Sequence, residues 1–293
     1  MTTAADDPLP DLIRTLRSRA PTDRLRAAKD LGRLGWLARD ALPALVGILG
    51  DDDGKVREAA AHAVGQMGPD AVPALAAMLA HHDKYVRRNA VWAMGKLGPL
   101  AKSSLSDLCK ALKDHDPRTA SGAAQALGNM GSDGADAVQP LAEAMRGTNI
   151  VLCRLAAKAL SSIGPPALAT LISHLQHTDP FVRGESALAL GWMGAMARSA
   201  VPFLAQVVRG PKGHAPRPPT PKGDPSSSNT ATPPSNNPDA LTSEENCRIY
   251  AAQALGRIGP AAAAAITDLK EATRHGSDAL RLASQQAVRQ IQG

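Results

Sequence analysis

The sequence predicts an all-α protein, a right-handed α-α superhelix of about eight helix pairs, and three observations carry that expectation. One short pattern (aliphatic, Gly, any residue, aliphatic, Gly) returns along the whole chain. Aromatic residues make up only 2% of the 293, too few to fill one large globular core. Ala, Leu and Gly dominate instead, and thin side chains let stacked helices approach to roughly 8–10 Å.

The pattern reads LGRLG at 31–35, VGQMG at 64–68, MGKLG at 94–98 and LGNMG at 127–131. It continues as LSSIG at 160–164, LGWMG at 190–194 and LGRIG at 255–259, and a degraded VRQIQG closes the chain at 288–293. The second glycine is a helix stop, because Pro69, Pro99, Pro165 and Pro260 follow it and cannot continue a helix. The first glycine lies inside a helical pattern, where it costs about 1 kcal/mol relative to Ala. Its recurrence predicts a close helix contact at that point.

A second helix precedes each of these, as in ALPALVGIL at 41–49, AVPALAAML at 71–79 and AVPFLAQVV at 200–208. Pro43, Pro73 and Pro202 suit the first turn, where an N–H has no intrahelical partner to lose. The unit is therefore helix A, a turn, helix B and a glycine stop. In the turn an Asp stands four residues before an Arg: Asp53 and Arg57, Asp83 and Arg87, Asp179 and Arg183, with Glu244 and Arg248 as a variant. The Asp suits the cap of helix B, and the Arg is aimed at the neighbouring unit.

On these residues the chain resembles the short HEAT-like repeats of bacterial repeat proteins and of the bilin lyase-type family, from about Asp7 to Gly293. The Asp and Arg spacing resembles the ladder of such repeats. Ala120 and Cys153 stand where the fourth and fifth units should carry the Arg, so those joints are expected to stack less regularly. The resemblance implies that helix B lines a concave surface. An iron-dependent hydroxylase of this architecture requires His-Glu pairs, and no His here precedes a Glu.

Residues 1–293 read as one repeat domain, interrupted within the seventh repeat by a Pro/Ser/Asn-rich insertion at 211–242 that is expected to be disordered. Pro216, Arg217, Pro218, Pro219 and Pro221 within it form a basic polyproline stretch that could dock a partner. Three cysteines (Cys109, Cys153 and Cys247) are widely spaced and suit thiols in a reducing compartment. Met1–Ala20 lacks the apolar run of a signal peptide, and no 18 apolar residues occur in succession, so a cytoplasmic protein without a membrane partner is expected.

Relative to the first glycine, positions −5, −2, −1 and +2 of helix B are almost always apolar, and −7, −3 and +1 form a ridge opposite them. The ridge carries Lys29, Arg33, Arg88, Lys96, Arg154, Lys158 and Arg257 against one acid, Glu58, although the chain as a whole has 33 basic and 27 acidic residues. Arg88, Trp92, Lys96, Gln125, Asn129, Arg154, Lys158, Leu188, Trp192 and Arg257 are therefore the candidate contacts of a concave cationic face. A protein partner with an acidic surface or peptide suits that face, with the indoles as anchors. Nucleic-acid backbone binding by the same face is the first alternative and a bilin lyase-like enzyme subunit the second.

No catalytic residue, cofactor or metal site is expected. Asp83 of the His81, His82, Asp83 cluster has a capping role, and His174 and His177 lack a third ligand. Nucleotide-loop, nucleophile-elbow and zinc-protease motifs are absent from the sequence.

Overall fold

The computed structural model describes residues 8–210 and 243–293, in two compact units, Met1–Ala167 and Leu168–Gly293. The insertion at 211–242, with its polyproline stretch, lies outside the described residues. In the first unit the helices are α1 (Leu9–Thr15), α2 (Pro21–Leu34), α3 (Leu42–Gly47), α4 (Gly54–Gly65), α5 (Val72–Met78), α6 (Lys84–Leu97), α7 (Leu105–Ala111), α8 (Pro117–Asn129), α9 (Val138–Met145) and α10 (Ile150–Ile163). The second holds α11 (Leu168–His174), α12 (Pro180–Met193), α13 (Val201–Arg209), α14 (Ser243–Ile258), α15 (Ile266–His275) and α16 (Asp278–Gln292). Odd-numbered helices are the A helices and even-numbered ones the B helices. The fold is the expected all-α solenoid, built of eight pairs among the described residues.

Six B helices, α4, α6, α8, α10, α12 and α16, open on a side-chain cap, whereas α2 follows Ala20 and has none. Asp53 accepts hydrogen bonds from the N–H groups of Lys55 and Val56, Asp83 from Tyr85, Asp116 from Thr119, Asn149 from Val151 and Leu152, and Asp179 from Phe181. These bonds satisfy donors that the first helical turn leaves unpaired. Each B helix from α2 to α14 except α4 and α8 ends directly before the second glycine of the pattern; two residues separate α4 from it and one separates α8.

At those glycines the sequence anticipates a left-handed cap, and the structure differs in one torsion. Gly68 has φ 78° and ψ −160°, and Gly98 has φ 54° and ψ −125°. Both lie at positive φ but outside the left-handed helical well, in a region a Cβ would forbid. The chain turns there into a short 3-10 segment, such as Pro69–Ala71, which feeds the next A helix.

The first glycines do what their repetition implies. A Cβ on Gly128 would sit 2.9 Å from the Cα of Ala159, and one on Gly191 would sit 2.9 Å from the Cα of Ala254. Each glycine thus faces the alanine two positions before the corresponding site of the next repeat, Ser161 in one case and Gly256 in the other, so these B helices meet backbone to backbone. Around this seam Leu31, Leu45, Met67, Leu75 and Met94 are fully buried in the first unit.

Residues Pro180–Arg209 are long and apolar enough, by length and composition, to cross a membrane. The stretch is broken at Gly194, with φ 56°, into α12 and α13, and half of its most apolar window is buried.

Candidate partner-binding site

The turn arginines fix how one B helix is set against the next. Arg24 donates through Nε and Nη2 to the Asp51 carboxylate at 2.7 and 2.8 Å, and Arg87 does the same to Asp114 at 2.7 and 3.0 Å. Their Nη1 groups donate to carbonyls of their own turn, Ser18 and Arg19 in one case and His81 and His82 in the other. In the second unit Arg183 is paired with Glu244. The receiving carboxylate in the first unit is therefore not the cap itself but the Asp two residues before it, which also accepts from the cap's N–H: Asp53 to Asp51 and Asp116 to Asp114.

Where that Asp is missing the rung changes chemistry. His81 occupies the place in the third repeat, its Nδ1 accepting from the Asp83 N–H. Arg57 has no carboxylate to meet there and instead lies 4.4 Å from the centre of the Tyr85 ring. In the fifth repeat Gly147 holds the place, and the opposing residue is the expected exception Ala120, buried without charge. Cys153, the other exception, donates its thiol to the carbonyls of Ala144 and Gly147, where an arginine would have donated.

Burial works to raise the pKa of both Asp51 and Asp114, but the guanidinium bonds and the cap N–H outweigh it, and both carboxyls are held below their ordinary range. Asp116 is held lower still, first by its hydrogen bond from Arg88 and then, against burial, by the N–H and hydroxyl of Thr119. Burial pushes the Cys247 thiol up to about 11.

That Arg88 bond corrects one feature of the candidate face. Arg88 donates through Nε to Asp116 at 2.6 Å, and the two side chains are 20% and 9% exposed. Its charge is compensated by a cap on the next helix, so Arg88 is a structural strut at the edge of the face and not a free cation. The remaining first-unit candidates are exposed. The Lys96 ammonium lies 5.0 Å from the centre of the Trp92 ring, and the Trp92 and His62 rings are 6.1 Å apart. Asn129 donates through Nδ2 to the Gly95 carbonyl at 2.9 Å, which ties α8 to α6.

Five of the ten candidates, Arg88, Trp92, Lys96, Gln125 and Asn129, line a single groove of about 760 Å³ that crosses α4, α6, α8 and α10. Arg154 and Lys158 stand exposed on α10 outside it. The groove also holds residues that the ridge rule missed: Arg118, Asn149, Val151 and Leu155. Arg118 and Val151 share a repeat position with Lys55, Tyr85 and Phe181, two residues past the cap. Val151 is 61% exposed there, and a repeat position shared with charged and aromatic residues gave no sequence signal for it.

In the second unit Trp192 and Arg257 are exposed and Leu188 is half-buried. The ridge is interrupted there. Gly184 is buried because the Tyr250 ring of α14 would meet its Cβ at 3.1 Å, and Ile249 is only 7% exposed. Those two positions are core and not surface.

The model of HEAT repeats matches residues 9–88, 72–152 and 139–215, which is most of the chain. The chain belongs to the HEAT-repeat family. The PBS lyase HEAT-like repeat matches residues 248–275 of this HEAT-repeat protein. Among solved structures, the E. coli protein YibA is similar at 15% identity and TM-score 0.50, covering 98% of this chain and 92% of that one. An engineered protein has 19% identity, TM-score 0.48 and coverage of 98% and 79%. The complex of CpcE and CpcF of phycocyanin lyase from Nostoc sp. PCC7120 has 20%, 0.43, and 99% and 97%. Of these, YibA bears on the fold and on nothing beyond it. Comparison with curated proteins gives no match.

Proposed function

We propose that this HEAT-repeat protein is a non-catalytic scaffold that holds a protein partner with an acidic surface on the B-helix face of its first unit. The observation that carries the proposal is the groove that gathers Trp92, Lys96, Gln125 and Asn129 on two neighbouring helices, α6 and α8. A half-exposed indole with a cation over its ring combines apolar area with charge, as binding hot spots do. Repeat stacks present such extended faces because each pair adds a strip to the same side. The cysteines Cys109, Cys153 and Cys247 carry free thiols, which supports a reducing, cytoplasmic setting.

Lys96→Glu with Lys158→Glu reverses two exposed charges and spares the Arg88 strut. Partners captured from the native host by affinity purification and identified by mass spectrometry are then measured directly as purified proteins. The double variant is expected to bind at least tenfold more weakly with an unchanged melting temperature; unchanged affinity refutes the proposal. Affinity for duplex DNA or RNA that falls steeply between 50 and 200 mM salt would put the nucleic-acid alternative in its place.

A further inference from the structure

The groove over α4 to α10 does not end at α4. Glu58 lines both it and a second groove of about 800 Å³ on α2 and α4, and His62 of the second groove reaches toward Trp92 of the first. The two form one trough across five B helices of the first unit. Its floor is backbone and small side chains, Gly32 and Ala59 at one end and Gly95 and Ala126 further along.

The chemistry of the trough is graded. Lys29, Lys55 and Arg33, the last paired with Asp30, outnumber Glu58 at the α2–α4 end, the His62, Trp92 and Lys96 group follows, and Val151 and Leu155 close the α10 end. Between the aromatic and apolar parts stand Arg118, Ser121 and three primary amides, and the amides have both kinds of valence to offer. Asn129 uses its Nδ2 on Gly95 and presents its Oδ1, whereas Asn149 uses its Oδ1 on the α10 cap and presents its Nδ2. Gln125, exposed between them, presents both.

A phosphate backbone offers only acceptors and would leave the carbonyl oxygens of these amides unmatched. A polypeptide main chain offers an N–H and a C=O at every residue and matches both. Resting on the function proposed above, we infer that the partner enters this trough as an extended peptide segment, acidic over α2–α4 and aliphatic over α10. Four helix spacings span about 30–40 Å, enough for about ten to twelve residues in extended conformation. The amides hold its main chain, the lysines select its carboxylates, and Val151 with Leu155 seats its aliphatic side chain.

The test is selection of a displayed library of random linear twelve-residue peptides on the full chain, followed by fluorescence polarisation with labelled synthetic winners. Expected winners carry at least two Asp or Glu in one half and a Leu, Ile or Val in the other. Trp92→Ala, and separately Lys29→Glu with Lys55→Glu, weakens them at least tenfold at an unchanged melting temperature. N-methylation of the central main-chain amides has the same effect, and Val151→Asp removes the aliphatic preference.

Failure to enrich any sequence, enrichment that survives Trp92→Ala, or indifference to N-methylation overturns the inference. Should a purified partner bind through Lys96 and Lys158 only as a folded domain, while no linear peptide from it binds, this inference falls and the scaffold function stands. Should neither partner nor peptide depend on the face, both fall.

Discussion

Arg87 and Asp114 are 16% and 10% exposed and share two hydrogen bonds, so neither can lose the other without leaving a charge in a poorly solvated joint. Arg87→Ala should therefore destabilise the fold by about 3–5 kcal/mol, and the double replacement with Asp114→Ala by clearly less. Urea denaturation of the wild type, both single variants and the pair checks this as a cycle. Lys102 and Asp133, at 65% and 42% exposure, form the comparison, and breaking that surface pair should cost under about 1 kcal/mol. The Arg at this position was legible from its fixed distance to the first glycine. Its acceptor was not, because the capping Asp is the more obvious carboxylate in turns such as those of Asp53 and Asp116. The interval of 27 residues between Arg24 and Asp51, repeated between Arg87 and Asp114, held the answer. Arg88 misled for a related reason: periodicity assigns a residue to a helix face, but not to a partner 28 residues on.

At the scale of the element, the glycine seam sets the limits of substitution. Gly128→Ala places a methyl group 2.9 Å from a backbone carbon that cannot rotate away, so it should cost about 1–3 kcal/mol despite the gain in helix propensity. Gly95→Ala, whose nearest neighbour would be 3.6 Å away, should be near neutral or stabilising. Thermal melts of the two variants side by side distinguish a packed seam from a merely tolerated glycine. Leu97→Ala and Ile163→Ala, which truncate buried side chains at the end of B helices, should each cost about 2–5 kcal/mol. Helix pairs and caps were readable, since each rests on residues a few places apart, and the seam was readable because its glycine recurs in every unit but one of the unbroken pattern. The groove's apolar end was not, since Val151 joins Trp92 only when α10 is laid beside α8 and α6.

For the whole molecule, the rungs predict a response to acid. Asp51, Asp114 and Asp116 bind protons more weakly folded than unfolded, so the unfolded chain takes up protons first as the pH falls. Their contribution is complete above the unfolded carboxyl range near pH 4 and is lost progressively below it. The melting temperature should hold steady from pH 7 to about 5 and fall below about 4, and Arg87→Ala with Asp114→Ala should flatten that fall. Scanning calorimetry across this range checks the slope.

The joints of the first unit touch most tightly along a narrow line, where a glycine on one B helix meets an alanine on the next. A contact that narrow gives little leverage against rocking, whereas rungs such as Arg24 with Asp51 resist sliding. Each joint is thus stiff in shear and compliant in bending. If the proposed partner is wider than the resting trough, a few degrees at each of several joints in series would admit it, with no single hinge and no melted helix. Elastic strain spread so thinly stays reversible, and the trough can close again on a thinner guest.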